Sequence, residues 1–225
     1  MQPLSLKPAL TAQVYDAVLH EIAEGRLAPG AAVAQEDLAL RLGVSRQPVS
    51  HALILLKQQG FVVERGRRGL QVAPLDPDYL RDLYQARAVL DGLAARLAAE
   101  AVRQGRVGAP ALAELQASIE RGMQAVKRGD LEALIELDAA YHAALNRLSG
   151  NRAVTEITAL QWAHIRRGMR SVLSDSGYRL RAWKEHAEIL QAICLGDAEL
   201  AEQRARHHGE RAGVTTWQRL SDAAA

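Results

Sequence analysis

The sequence has few of the residues on which several protein classes depend. Its one cysteine, Cys194, excludes an intramolecular disulfide and a cysteine-based zinc site, and it suits a reducing compartment. Aromatic residues make up only 4%, with a single Phe, which weighs against a β-sandwich or barrel. The N-terminus lacks the basic start and apolar core of a signal peptide, and no apolar run reaches the ~18 residues of a membrane span. We therefore expect a soluble, cytoplasmic protein without transmembrane helices.

What is present favours helices arranged in two modest domains. The 225 residues are 48% hydrophobic and 24% charged, which is a globular composition, and Ala, Leu and Arg recur throughout. The net charge of +2 conceals an uneven distribution: it is −3 over residues 1–40, +5 over residues 41–70 and 0 over residues 71–225. A solvated charged face would be the ordinary explanation of such a basic segment. The sequence pattern around these basic residues argues against that explanation.

The basic segment has the pattern of a winged helix-turn-helix. A short helix over Gln35–Leu42 ends at Gly43, and a second helix follows Ser45 as far as Gly60. Two short apolar stretches then flank Gly66-Arg67-Arg68-Gly69, which predicts a hairpin with a basic tip. The second helix and the wing together present basic and amide side chains suited to phosphates and base edges. A helix-turn-helix used only for protein contacts would not need both basic elements, so we expect double-stranded DNA as the partner.

Residues 25–73 resemble the DNA-binding domain of the GntR family of bacterial transcription regulators. The resemblance rests on GRLAPG, EDLALRLGVSRQPVSHAL, QQGFV and RRGLQV. It implies DNA contacts by Arg41, by Arg46 and by Gly69 or its neighbour Gly66. The family usually has Arg-Glu after the PV of the motif, whereas this chain has Ser50-His51, so the operator sequence does not carry over. The full predicted DNA-binding set is Arg41, Ser45, Arg46, Gln47, Ser50, His51, Arg65, Gly66, Arg67, Arg68 and Gly69.

The rest of the chain predicts an antiparallel helical bundle. Residues 74–77 contain two prolines and form a linker, so the predicted domains are 1–73 and 78–225. Helices are expected near 78–103, 110–128, 130–149, 152–173, 177–195 and 197–220, with no strand pattern. A helical repeat is the alternative architecture, but no fixed period is evident. The predicted fold class is therefore mainly α: an N-terminal winged helix-turn-helix followed by an all-α bundle.

Four polar residues fall where the bundle should have apolar ones. Asp138 and His142 lie four residues apart on the core face of one helix, and His186 and His208 lie on inner stripes of two later helices. The last two stand about 15 Å on either side of the turn at Gly196, so they are level across a helical hairpin. Each residue alone could be a hydrogen-bonded core group. Together they predict a divalent metal site, with Zn or Ni most suitable, although helical phase alone does not decide between His207 and His208.

Residues 78–211 resemble the FCD-type effector domain that follows the DNA-binding domain in the FadR-like subfamily. The matching stretches are LYQARAVLDGLAARLA, DAAYHAALNRLSGN and EHAEILQAICLGDAELAEQRARHH. The resemblance implies Asp138, His142, His186 and His208 as the metal ligands, which resolves the choice in favour of His208. It also implies that Arg87 meets a carboxylate of the effector. The acidic residue that follows in the family, commonly Glu, is Asp91 here.

These observations predict a ligand-responsive, homodimeric transcription regulator rather than an enzyme. Its partners would be a palindromic DNA operator and a small carboxylate effector, bound with the help of the metal. A regulator that senses the metal directly is one alternative. A metal-dependent helical hydrolase is another, but no separate general base is apparent, because Glu185 and Glu188 have the pattern of ordinary surface acids.

Overall fold

The computed structural model describes residues 10–66 and 69–224. The chain divides into two compact units, Met1–Leu75 and Asp76–Ala225. In the described part of the chain, no helix is both long enough and apolar enough to cross a membrane.

The N-terminal unit consists of three helices and a β-hairpin. The helices are α1 (Leu10–Ala23), α2 (Gln35–Leu42) and α3 (Arg46–Gln58), and the strands are β1 (Val62–Arg65) and β2 (Gly69–Val72). Gly43 ends α2 with φ 65°, in the left-handed region that glycine enters without steric cost. The strands pair antiparallel, with Val62 opposite Val72 and Arg65 opposite Gly69. This arrangement confirms the predicted winged helix-turn-helix.

The core of this unit is made by the apolar stripe of each helix. Val18 and Ile22 of α1 are buried, and α1 packs against α3, so the opposite side of α3 faces solvent. The buried members from α3, from the residue before β1 and from the hairpin include Val49, Ala52, Leu53, Leu56, Phe61, Val62 and Val72.

The second unit contains long helices joined by short turns. They are α4 (Pro77–Arg103), α5 (Ala109–Arg128), α6 (Leu131–Leu148), α7 (Arg152–Leu173), α8 (Ser176–Cys194) and α9 (Ala198–Ala224). Several begin at a side chain that accepts hydrogen bonds from first-turn amides, as Asp76, Asp130, Asn151 and Asp175 do. The predicted helical bundle is confirmed, and the largest difference in bounds is at the end of α9, which continues to Ala224.

Small residues let the two longest helices, α4 and α9, approach each other closely. A Cβ at Gly209 would lie 2.9 Å from the Cα of Ala88, and one at Gly213 would lie 2.7 Å from the Cβ of Tyr84. Real Cβ atoms do not come this close, so glycine is required at both positions. The close contact brings the inner face of α9, which carries His208, against the rest of the bundle.

Candidate functional site

Three buried histidines from three helices meet inside the bundle. His142 of α6, His186 of α8 and His208 of α9 are 3%, 0% and 5% exposed. One ring nitrogen of each lies within 4.8 Å of those of the other two, and the Nε2 atoms of His186 and His208 are 3.2 Å apart. The structure therefore brings together the three histidines that the sequence singles out, whereas His207 is exposed.

The carboxylate of Asp138 lies beside two of these rings. Its Oδ1 is 3.6 Å from His186 Nε2, and its Oδ2 is 3.8 Å from His142 Nε2. Ligands about 2.0–2.1 Å from a tetrahedral ion are separated from each other by roughly 3.3 Å. Three separations in the cluster, of 3.2, 3.6 and 3.8 Å, are close to that value, and the three ring nitrogens all lie within 4.8 Å of one another. The four residues thus offer three nitrogens and one oxygen at spacings that suit a first-row divalent ion.

Two further carboxylates lie behind the histidine rings. Asp91 Oδ2 is 3.1 Å from His142 Nδ1, and Glu185 Oε2 is 2.8 Å from His208 Nδ1. A carboxylate at Nδ1 favours the tautomer that leaves the Nε2 lone pair free, and it fixes the plane of the ring. Both Nε2 atoms then face the centre of the cluster.

The third histidine is held by an aromatic neighbour. The ring of Tyr141 stacks on that of His186, with centroids 4.0 Å apart and planes 20° apart. The Tyr141 hydroxyl donates to the backbone oxygen of His186 over 3.1 Å. This combination restricts both the helix and the ring, so His186 is preorganised for its contacts in the cluster.

Burial favours the neutral, ligating form of the His142 and His186 rings. Desolvation lowers the pKa of His142, and the charge of Arg87 lowers it further. Desolvation, followed by the charges of His208 and His142, puts the pKa of His186 well below its usual value. Among the described residues, both ring nitrogens of His142 are buried without a hydrogen bond of good geometry; Nδ1 has the Asp91 carboxylate at 3.1 Å, whereas Nε2 faces the cluster. Such an atom is costly to leave unpaired, and a bound cation would satisfy it, so the residues present fit a metal ion.

Arg87 and Asp91 form a buried ion pair next to the cluster. Arg87 Nε donates to Asp91 Oδ2 over 3.1 Å, and the guanidinium lies 4.6 Å from the ring centroid of Trp162. Burial opposes ionisation of Asp91, but Arg87 and His142 outweigh it and lower the pKa of this carboxyl to about 2. Asp91 is therefore an anion at neutral pH and links Arg87 to His142.

A cavity of about 450 Å³ lies between α4, α6 and α7. Arg87, Asp91 and His142 form part of its wall, so the cavity reaches the edge of the histidine cluster. The remaining lining residues are Glu136, Ala139, Ala140, Ala143, Asn146, Arg147, Thr155, Thr158, Ala159 and Trp162. Its volume is within the range of small-molecule sites in proteins.

The predicted DNA-binding residues of α3 face solvent. Arg46, Gln47 and His51 are exposed, Ser50 is half-buried, and Ser45 is the N-cap without a side-chain capping bond. Arg46 Nη1 lies 2.9 Å from Glu36 Oε1.

The other predicted residues of this face lie on α2 and the wing. Arg41 Nη2 lies 3.4 Å from Glu21 Oε2. In the wing, Arg65 is exposed and Gly66 has φ 62°. A Cβ at Gly69 would come within 2.9 Å of the Arg65 carbonyl oxygen. Arg67 and Arg68 lie outside the described residues, and the roles of all these residues remain predictions.

Glu185 is the residue that sequence reasoning missed. We expected an ordinary surface acid, and that was wrong: the side chain is only 14% exposed and binds both His208 and Arg211, whose Nη1 is 2.9 Å from Oε1. The signal was in the spacing, because Glu185 precedes the turn at Gly196 by eleven residues and His208 follows it by twelve. Glu188, three residues further along α8, is exposed as expected.

Comparisons with known proteins agree with this architecture. The sequence profile of the FCD domain matches residues 82–211, and that of the bacterial regulatory proteins of the gntR family matches residues 10–72. The chain belongs to the GntR family of bacterial transcription regulators. The hydrolase alternative is therefore excluded, because the family and the relatives are regulators rather than enzymes. Members of the family bind DNA operators and small-molecule effectors.

Individual GntR regulators are similar over most of the chain. One from an unstable DNA locus of Streptomyces ambofaciens is 35% identical over 189 residues, covering 81% of this chain and 74% of the relative. McbR of Escherichia coli K12 is 28% identical over 161 residues, covering 72% and 71%. The solved structure of E. coli McbR/YncC covers 95% of this chain and 100% of its own, at 23% identity, with a TM-score of 0.78. A GntR regulator from Rhodococcus sp. RHA1 gives 0.76 at 21% identity, covering 95% and 99%. These two structures support the fold.

Proposed function

We propose that this GntR regulator is a homodimer that changes its operator binding when a small carboxylate binds beside a metal ion in the FCD unit. The observation that carries the proposal is the convergence of three buried histidines, with the Asp138 carboxylate beside two of them, next to a cavity that contains a buried arginine. Of the two arginines among the described residues of the wall, Arg87 is buried and Arg147 is exposed.

The metal would be held by Asp138, His142, His186 and His208. Three nitrogens and one oxygen suit Zn or Ni. When bound, the ion would supply a positive charge that attracts the carboxylate oxygens of an effector. Asp91 and Glu185 would orient His142 and His208, since outer carboxylates of this kind commonly raise the affinity of a histidine site.

Arg87 would hold the same effector from the cavity wall. A guanidinium has five N–H donors, and the bond to Asp91 uses Nε. A carboxylate next to the remaining donors would make a charge-assisted hydrogen bond. Arg87 is already fixed by Asp91 and by the ring of Trp162, so little side-chain entropy is lost when the effector binds.

The operator would be read by a symmetric pair of α3 helices, one from each protomer. The exposed residues of α3 and of the wing would contact phosphates and base edges, and a twofold dimer would match a palindromic operator. The effector must bind one arrangement of the two DNA-binding units more tightly than the other, because equal affinity would shift nothing.

The test separates an effector-responsive regulator from a direct metal sensor. An operator is first selected from fragmented genomic DNA with the full-length protein. Its affinity is then measured for chelated and for zinc-loaded protein while carboxylates are titrated. We expect acids to change the affinity only when metal is present. DNA affinity that follows metal alone, with no response to any acid, would show a metal sensor instead.

A further inference from the structure

The wall of the cavity beside the histidine cluster is mostly small and apolar. α6 contributes Ala139, Ala140 and Ala143, and α7 contributes Ala159 and the ring of Trp162. Polar groups from the cluster enter the wall together, because Asp91 contacts both Arg87 and His142, and Glu136 and Arg147 add two further charged side chains. The cavity is therefore amphipathic.

Several polar side chains of the wall are occupied by bonds within the protein, whereas Asn146 Oδ1 and Trp162 Nε1 are buried without a hydrogen bond among the described residues. Asn146 Nδ2 donates to Thr158 Oγ1 over 2.8 Å, and that hydroxyl donates to the Val154 carbonyl oxygen over 2.8 Å. The Thr155 hydroxyl donates to the carbonyl oxygen of Asn151 over 3.3 Å. These bonds use the threonine hydroxyls, so the uncharged polar atoms left for a ligand are the Asn146 amide oxygen and the Trp162 indole N–H. A polyhydroxylated effector has more hydroxyl groups than these two atoms can pair, so it would lose hydration that it does not regain.

The volume of the cavity exceeds what the smallest acids need. Liquid water occupies about 30 Å³ per molecule, so about 450 Å³ corresponds to roughly fifteen water-sized groups. An acetate ion next to Arg87 would leave most of this space to water. A ligand with a longer apolar body would cover the alanine side chains and displace that water.

We infer that the effector is an amphipathic carboxylate, with its anionic group at Arg87 and an alkyl or aryl body along Ala139, Ala143, Ala159 and Trp162. This inference rests on the proposed function and specifies the ligand class of the same site. The charge at Arg87 orients the ligand, and the alanine wall makes the site selective for ligands with an apolar body.

Calorimetric titration of the zinc-loaded full-length protein with acetate, butanoate, hexanoate and gluconate tests the class of ligand. Each methylene that is fully buried lowers Kd about fourfold. Hexanoate should therefore bind at least ~10-fold tighter than acetate even if half of its chain is covered, and tighter than gluconate, which has the same number of carbons. Equal binding of all the acids, or a preference for acetate or gluconate, overturns the inference and leaves the proposed function standing. If no acid binds, the proposed effector site fails together with the inference.

Substitutions in the wall test the place of binding. Ala143→Leu and Ala159→Leu fill the cavity from α6 and from α7 and should remove the advantage of hexanoate over acetate, while acetate binding changes less than about twofold. Ala153→Leu is the matched control, because Ala153 is exposed on α7 and does not line the cavity.

The same variants are examined by light scattering, because a second copy of the chain could instead cover this wall. If Ala159→Leu dissociates into monomers but binds hexanoate as before, the wall is a protein contact and the inference is overturned. Unchanged assembly with a lost preference for hexanoate supports it.

Discussion

The two units of this regulator use the same kind of ion pair in opposite surroundings. On the predicted DNA-binding face, Arg46 and Glu36 are 2.9 Å apart and both side chains are 69% exposed. In the helical unit, Arg87 and Asp91 are 3.1 Å apart, and their side chains are 6% and 2% exposed. The distances are nearly equal, so the difference between the pairs is their contact with water.

Burial determines what each pair can do. In water, Arg46 gains little from Glu36 and can exchange it for a phosphate at small cost, which suits transient binding of a polyanion. Arg87 cannot leave Asp91 without leaving a charge uncompensated in the protein interior. A buried pair therefore keeps its geometry and can position His142, whereas an exposed pair remains adaptable.

The largest expected effect follows from removing one partner of the buried pair. Asp91→Ala should lower the free energy of unfolding of the metal-free protein by about 3–5 kcal/mol, because Arg87 remains buried without its carboxylate. Glu36→Ala is the control in the exposed pair and should change it by less than about 1 kcal/mol. Urea denaturation measures both. Similar losses of unfolding free energy in the two variants would contradict the conclusion that the buried pair costs more to break than the exposed one.

A double variant shows whether the cost comes from the unpaired charge. Arg87→Leu combined with Asp91→Ala removes both charges and should regain a large part of the stability lost in Asp91→Ala alone. No recovery would mean that Asp91 acts mainly through His142, the other group within 3.1 Å of its carboxylate.

Loss of a central histidine should have the next largest effect. His186→Ala should lower metal affinity by more than about 100-fold, because a ligand is removed and not merely an outer partner. His207→Ala, at an exposed position, should leave the affinity unchanged. Competition with a coloured chelator measures both variants, and thermal melts without metal check that each is folded. Full metal occupancy in the His186 variant would refute the ligand set.

A smaller loss is expected when the carboxylate behind His208 is neutralised. Glu185→Gln can still accept from His208 Nδ1 but loses its charge, so metal affinity should fall about 10- to 100-fold. Glu188→Gln removes the same charge from an exposed position of the same helix and should have no effect. If both variants lose the same affinity, general electrostatics would explain the result and orientation of His208 would not.

The fold and the histidine cluster could be predicted from the sequence because both depend on the regular spacing of residues along helices. Glycines, prolines and capping residues mark the helix ends within a few residues, and the turn at Gly196 sets His186 level with His208. The resemblance to the FCD domain decided what helical phase could not, between His207 and His208. The structure agrees, since only His208 is buried.

What sequence reasoning missed depends on packing between helices. The contact of Glu185 with His208 requires the crossing of α8 and α9, and the stacking of Arg87 on Trp162 requires the position of α7 relative to α4. The alanine wall of the cavity likewise has no distinct sequence pattern, because exposed alanines are common on helices. Distances of this kind follow from side-chain volumes throughout the bundle and not from any local motif.

On the predicted DNA-binding face, Arg46→Ala should weaken operator binding by about 1–3 kcal/mol. It should also reduce the slope of log affinity against log salt concentration by about one. Arg26→Ala is a useful control, because Arg26 also pairs with a glutamate on its own unit but lies outside the predicted DNA-binding set. Fluorescence anisotropy over a range of salt concentrations gives both quantities. Unchanged affinity at moderate salt would remove Arg46 from the interface.

The smallest effect is expected from releasing Arg46 rather than removing it. Glu36→Gln eliminates the acid that competes with phosphate, so DNA affinity should rise, but by less than about fivefold, because an exposed pair contributes under about 1 kcal/mol. The same anisotropy titration measures the change, and the increase should disappear in the Arg46→Ala background. A gain that persists without Arg46 would show that Glu36 repels the DNA directly. A gain much above fivefold would show that the exposed pair holds Arg46 more firmly than its contact with water implies, and the contrast between the two units would be weaker than their burial indicates.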